Sequence, residues 1–304
     1  MRYSQAQLTS ELLDQPVYAG EPLKIFICST PRSGSYMLCR YMVNAGLGVP
    51  HEYFNPLFMR QIASRLGLGA RAEKLKWRPP NRRDRLPFRS RERINEEAFL
   101  ADYVAALIPR RCQRGVFAAK IHFDQFVTVL DNNVGCRLLD GSVFIYLYRE
   151  DLLKQAVSRN FAYLTGQWGD DEAVSTAPLP RPDLLEPKAV DRELRTLADE
   201  DRGWRVFLAQ NGLAPMSISY EQLCKDPSSF VVEIARRVGI DPATLRQGYS
   251  EPVAPVGFED PRRPSKGEVA RRYLAAFGRI HTGATPEVSR SVAQPAITAC
   301  EAAK

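Results

Sequence analysis

The chain lacks any apolar run long enough to cross a membrane. Its longest candidates, "KIFIC" and "VFIYLY", are strand-sized, against roughly 20 residues for a spanning helix. No Gly-Lys-Ser/Thr follows a strand-like run, which excludes the Walker loop of nucleotide triphosphatases, and no G-x-G-x-x-G spacing points to a dinucleotide. The six cysteines, Cys28, Cys39, Cys112, Cys136, Cys224 and Cys300, form no C-x-x-C pair. No ligand cluster calls for a metal. The first residues, "MRYSQAQLTSELLDQ", have no positive start leading into an apolar core, so no signal peptide is expected. Scattered cysteines without such a leader read as reduced, and the expected location is cytoplasmic.

What remains is the composition of a globular protein, 304 residues with 44% hydrophobic and 25% charged. That length suits one large domain or two small ones, and we read 1–304 as one. The net charge of +7 is concentrated. Between Arg71 and Arg93 there are ten Lys/Arg against three Asp/Glu, and the rest of the chain is balanced. This stretch belongs to a basic, proline-containing insertion over 67–93. It can be a solvated surface segment, a lid over an anionic ligand, or a peripheral contact to an anionic surface. Specific nucleic-acid binding is not expected, because only Trp77 and Phe88 could stack on bases. The tail over 283–304 is weakly patterned.

Apolar runs at 23–29, 115–123, 141–150 and 215–223 predict strands. Helical spacing predicts helices over 33–45, 57–66, 94–108, 191–212 and through "DPSSFVVEIARRVGI", with another opening behind Asp151 as its cap. Alternating strands and helices imply an α/β fold, a central parallel sheet flanked by helices. Parallel sheets bind ligands beyond the C-terminal ends of their strands. Three polar clusters fall there, at 29–36, 120–125 and 149–159.

The first cluster, "STPRSGSY", places Arg32, Ser33, Gly34, Ser35 and Tyr36 at a strand-to-helix corner. Free amides and the helix dipole at such a corner favour a phosphate or sulfate, and Gly34 lets the backbone approach it. A plain capped helix would explain the serines and proline but not the arginine. In the second cluster Arg149 ends a strand and Ser158 lies about two and a half turns into the next helix. Alone, Arg149 reads as a surface ion pair with Glu150 or Asp151. Beside the first cluster it suggests a second anion site with a nucleoside between the two.

"TPRSGSYML" together with "YLYREDLLKQAVSR" resembles the sulfotransferases that use 3′-phosphoadenosine 5′-phosphosulfate, and in particular their trehalose 2-sulfotransferase-like branch. The similarity covers 23–60, 115–165 and 204–230. It implies a P-loop-like strand-loop-helix in which Arg32, Ser33, Gly34, Ser35 and Tyr36 hold the 5′-phosphosulfate, while Arg149 and Ser158 hold the 3′-phosphate. Tyr220 resembles a tyrosine near the adenine, and reads equally as a core tyrosine at a strand end. "RRPSKGEVARRY" (262–273) is a candidate cover for the donor by position alone, with Arg262 and Lys266 in reach of phosphate. The reaction implied is sulfuryl transfer to a hydroxyl of a carbohydrate or glycolipid, a trehalose-like sugar above all. It needs no metal, but it needs a base for the hydroxyl proton. His51, Glu52 and His122 are the candidates. The branch's E-x-F loop, here "GVPHEYFNP", points to Glu52, and other sulfotransferase branches use a strand-end histidine such as His122. Lys120 could touch acceptor or sulfonate, or pair with Asp124 or Glu150. Tyr53, Phe54 and Trp168 are the expected aromatic contacts to the sugar. The reading leaves room for a homodimer. Its alternatives are a nucleotide-dependent phosphotransferase, disfavoured by the absent Walker lysine, and a non-catalytic nucleotide- or polyanion-binding protein.

Overall fold

The computed structural model describes residues 10–76, 91–168, 182–246 and 264–278. Five strands form one sheet: β1 (Leu23–Ser29), β2 (Cys112–Gln113), β3 (Val116–His122), β4 (Val143–Tyr148) and β5 (Met216–Ser219), in the order β2-β3-β1-β4-β5. All pairings are parallel except that of the short edge strand β2 with β3.

A parallel strand covered on both faces reads as an unbroken apolar run rather than an alternating one, which is why "KIFIC" and "VFIYLY" stand out. Side chains nonetheless alternate between two cores. Phe26 and Cys28 of β1 join Phe117, Ala119, Phe144 and Tyr146 on one face. Ile25 and Ile27 join Ala118, Ile145 and Leu147 on the other.

Among the described residues, the α-helices of six or more residues are α1 (Ser35–Ala45), α2 (Pro56–Arg65), α3 (Arg91–Arg111), α4 (Asn133–Leu139), α5 (Leu152–Thr165), α6 (Pro187–Gln210), α7 (Tyr220–Lys225), α8 (Pro227–Arg237) and α9 (Lys266–Phe277). α1 and α8 cover the Ile25/Ile27 face. α2, α3 and Trp204 of α6 cover the other. α5, α6 and α9 meet around Val157, Leu197 and Val269. Gly46 ends α1 in a left-handed conformation, φ 84°, as a C-terminal glycine should. Asp151 caps α5 by accepting from the Lys154 amide at 2.8 Å.

Several features differ from the sequence expectation. The strand expected over 215–223 stops at Ser219, because Ser219 and Gln222 form a reciprocal capping box. Each side chain accepts from the other's amide at 3.1 Å, which turns the chain into α7. Tyr220 therefore opens a helix. β2 and α4, too short for periodicity to register, were not anticipated, and neither was α9. Most of the basic insertion (77–90), Arg262 and the 283–304 tail lie outside the described residues. Among those described, no helix is long and apolar enough to cross a membrane.

Candidate active site

The C-terminal ends of β1, β3, β4 and β5 open onto a cavity of about 760 Å³, within the range of small-molecule sites. Six cations line it (Arg32, Lys120, Arg149, Lys154, Arg159 and Lys266) against two carboxylates, Glu52 and Asp124. It is built for an anion.

The loop after β1 forms one wall. Arg32 (φ 66°) and Gly34 (φ 82°) are both left-handed, a strained state for arginine and a natural one for glycine. Gln155 of α5 holds the loop from below, donating to Thr30 Oγ1 at 2.8 Å and to the Pro31 carbonyl at 2.7 Å. No side chain caps the N-terminus of the 11-residue α1, whose first residues Ser35, Tyr36 and Met37 line the cavity. Its amides and dipole are thus available to an anion. Ser33 is fully buried beneath the loop, its Oγ without a hydrogen-bond partner.

Arg149 marks the second wall. Its guanidinium stacks 4.4 Å from the Tyr220 ring centroid and donates from Nη1 to the Arg32 carbonyl at 3.3 Å. Its Nε has no hydrogen-bond partner, and Glu221, at 3.9 Å, is a distant counter-ion. Arg159, by contrast, is neutralised by Glu193 at 2.8 Å and Glu200 at 3.3 Å. Arg149 is therefore a half-satisfied cation with bonding capacity to spare.

Across the cavity sits a buried polar knot. Glu52 Oε1 pairs with Lys120 Nζ at 2.6 Å and faces His122 Nε2 at 3.5 Å. Its Oε2 accepts from Gln125 Nε2 at 2.6 Å and Asn55 Nδ2 at 2.9 Å. Burial by itself would raise the Glu52 carboxyl, but Lys120 and His122 outweigh it and hold the group well below its ordinary value. It is an ionised carboxylate at neutral pH. Lys120 also lies 3.5 Å from the Tyr36 ring centroid, so it bridges from the carboxylate to the anion loop. His122 Nδ1 is 3.2 Å from both the Oγ and the carbonyl of Ser29.

A family model described as Stf0 sulphotransferase matches residues 24–254, which takes in every one of these elements except α9. The chain belongs to the Stf0 sulphotransferase family. It is 30% identical over 103 residues to the trehalose 2-sulfotransferase of Mycobacterium tuberculosis (strain ATCC 35801 / TMC 107 / Erdman), a match that covers 33% of this chain and 36% of that protein. The chain thus spans about a third of the length of this curated relative. It is also similar to a solved sulfotransferase domain from the curacin biosynthetic pathway, at 19% identity and a TM-score of 0.39, over 72% of this chain and 74% of that one.

Arg32, Gly34, Ser35, Tyr36, Glu52, Lys120, His122, Arg149, Ser158 and Tyr220 all line the one cavity. Lys266 and Gly267 at the start of α9 line it too. Other details depart from the sequence expectation. Arg32 reaches across to Ser158, donating from Nε to Oγ at 3.1 Å, so the loop's arginine joins the pair assigned to the other anion. Lys120 pairs with Glu52 rather than Asp124 or Glu150. Arg149 leans on Tyr220 and Glu221 rather than Glu150 or Asp151.

His51 is turned into the interior between Tyr53 and Phe58, with both ring nitrogens unpartnered, and it has no access to a substrate. Tyr53 and Phe54 are fully buried core residues, not sugar contacts. Leu57 and Phe58, one helical turn on, line the cavity in their place, together with Trp168. Asn55 and Gln125 were missed altogether. The only local signal was Asn55 three residues after Glu52, in N-cap position for α2.

Proposed function

We propose that this sulphotransferase moves a sulfuryl group from 3′-phosphoadenosine 5′-phosphosulfate to a hydroxyl of a carbohydrate or glycolipid, with a trehalose-like sugar favoured. The under-neutralised Arg149, stacked on Tyr220 beside the open N-terminus of α1, carries this reading. It supplies a second anion site and an aromatic surface next to the first, as a 3′,5′-bisphosphorylated nucleoside requires. α1 and the 32–36 loop would take the phosphosulfate. Arg149, Ser158 and Arg32 would take the 3′-phosphate, with Lys266 at the edge. The orphaned Nε of Arg149 fits such a ligand, whereas Ser33, expected to join the phosphosulfate contacts, lies buried beneath the loop and does not line the cavity.

Glu52 accepts the hydroxyl proton as the acceptor oxygen bonds to sulfur and the bridging bond to the 5′-phosphate breaks. Adenosine 3′,5′-bisphosphate leaves. As Glu52 becomes neutral, Lys120 loses its counter-charge, and its ammonium, already beside Tyr36, is freed to balance charge on the departing phosphate. Proton transfer and leaving-group stabilisation are thereby coupled through one lysine. Positioning and electrostatics do the remaining work, as in phosphoryl transfer. Asn55, Gln125, Phe58 and Trp168 give the acceptor end the amides and apolar faces that suit a neutral sugar.

Calorimetry with adenosine 3′,5′-bisphosphate and adenosine 5′-phosphate tests the donor site. The bisphosphate should bind clearly more tightly, and Arg149→Ala should erase most of the difference, since a charge-assisted hydrogen bond is worth about 1.5–3 kcal/mol. Equal affinities in the unmutated protein would sink the assignment. A labelled-sulfate transfer assay against sugars, glycolipids and phenols tests the acceptor class, and transfer to phenols alone would refute the carbohydrate reading.

A further inference from the structure

An ionised carboxylate offers about four lone-pair directions, and Glu52 has four partners. Lys120 and His122 share Oε1, while Gln125 and Asn55 share Oε2. The contacts are unequal. The two amides sit at 2.6 and 2.9 Å on Oε2, whereas His122 is at 3.5 Å from Oε1, beyond good hydrogen-bond length. Only the direction facing His122 can be surrendered cheaply to an incoming hydroxyl.

We infer that Gln125 is a positioning residue for the transfer reaction, which clamps Glu52 Oε2 so that Oε1 alone meets the acceptor hydroxyl. The residue is suited to this by its own tethering. It is buried, and its carbonyl oxygen accepts from the His122 amide at 3.2 Å while its NH2 group donates to Glu52. The amide's orientation is therefore set from the strand end that also carries Lys120 and His122. Asn55 is tethered in the same way, its Oδ1 accepting from Leu57 N at 3.1 Å. Two amides anchored to two different elements, α2 and the turn after β3, leave the carboxylate no freedom to rotate. A fixed base costs less orientational entropy in the transition state than a swinging one.

This rests on Glu52 as proton acceptor. It gives Gln125 a signature that a merely structural residue lacks. Its N–H stabilises the ionised form of Glu52, so its removal should raise the carboxyl pKa. The other groups facing Glu52 would be unchanged: Lys120 and His122 from β3, Cys39 from α1 and the neighbouring His51.

The test uses the full chain with Gln125→Met, which keeps the volume but not the donor, and Gln125→Glu, which keeps the shape. Two readouts are taken. One is the Glu52 carboxyl titration by 13C-glutamate NMR, assigned with Glu52→Gln. The other is the acid limb of kcat for labelled-sulfate transfer to trehalose. In Gln125→Met the carboxyl titration and the acid limb should both move up by about one to two pH units. kcat should fall roughly 10- to 100-fold, with the acceptor KM changed less than about threefold and affinity for adenosine 3′,5′-bisphosphate retained. Gln125→Glu should move the titration further, because a second carboxylate then faces Oε2. A Glu52 titration unmoved in either folded variant overturns the positioning role, whether or not trehalose is turned over. Full kcat in Glu52→Gln would instead overturn the base assignment.

Discussion

The Cα of Gly34 lies against the ring of Tyr220 so closely that a methyl group built on it would stand 2.5 Å from Cδ2. The anion loop and the first residue of α7 are thus in direct contact, and the same ring carries Arg149. One glycine sets the distance between both proposed anion sites.

Gly34→Ala should accordingly push Tyr220 aside, adding strain at a φ of 82°. We expect affinity for adenosine 3′,5′-bisphosphate to fall at least about tenfold, the loss of a single charge-assisted contact. Adding Tyr220→Ala to Gly34→Ala should then cost little more, because the ring is already displaced. Isothermal titration of the two single variants and the double variant measures this. Fully additive losses would show that the two residues act independently.

Arg32 combines strain with use. Its left-handed backbone costs about 1 kcal/mol relative to glycine, while its side chain ties the loop to Ser158 and to the Trp168 carbonyl. Arg32→Ala and Arg32→Gly should lose the same donor affinity, yet the glycine variant should be the more stable by about that amount. Denaturant melts of the pair decide it, and equal midpoints would mean that the loop relaxes.

His51 makes a prediction about pH and stability. Burial drives its pKa down to about 3 from 6.5; Glu52 opposes the shift, and Lys120 and Arg111 reinforce it. Between those values the unfolded chain binds a proton that the folded chain refuses. Stability should therefore fall by about 1.4 kcal/mol for each pH unit below 6.5, and is fully retained above it. His51→Phe, which suits the aromatic surroundings of Tyr53 and Phe58, should remove that slope between pH 6.5 and about 5. Identical slopes in the two proteins, measured by urea unfolding, would show that the ring takes up a proton in the folded state.

How much of this could be read in advance depends on how local the cause is. β1 and β4 were legible because a strand buried on both faces leaves a dense apolar run, and α1 because Gly46 stops its helical pattern. β5 was overrun because "SYEQL" continues an alternating pattern, and only the Ser219–Gln222 spacing betrays the turn into a helix. In the cavity, Arg32, Lys120 and Arg149 stood out as polar residues at strand ends, and Glu52 through the resemblance of its loop. Their pairing did not, since Glu52 and Lys120 lie far apart in the chain and meet only once the sheet has formed. Gln125 and Asn55 were invisible because a neutral amide has no motif and takes its meaning from its partner. Tyr53 and Phe54 misled for a related reason. Adjacency to Glu52 says nothing about which way an aromatic ring turns, and here the core claims both.

The Lys120 amide donates to the His51 carbonyl at 3.0 Å, so the segment bearing Glu52 is laced to β3 almost as an extra strand. The residues proposed to handle the proton ride on that laced framework. Leu57, Phe58 and Asp124, at the proposed acceptor end, ride instead on the first turn of α2 and on the turn after β3. A lineage could exchange those three, and with them the acceptor, while the framework beneath stayed still. Such a division of labour makes new acceptors accessible by single substitutions without rebuilding the reaction centre.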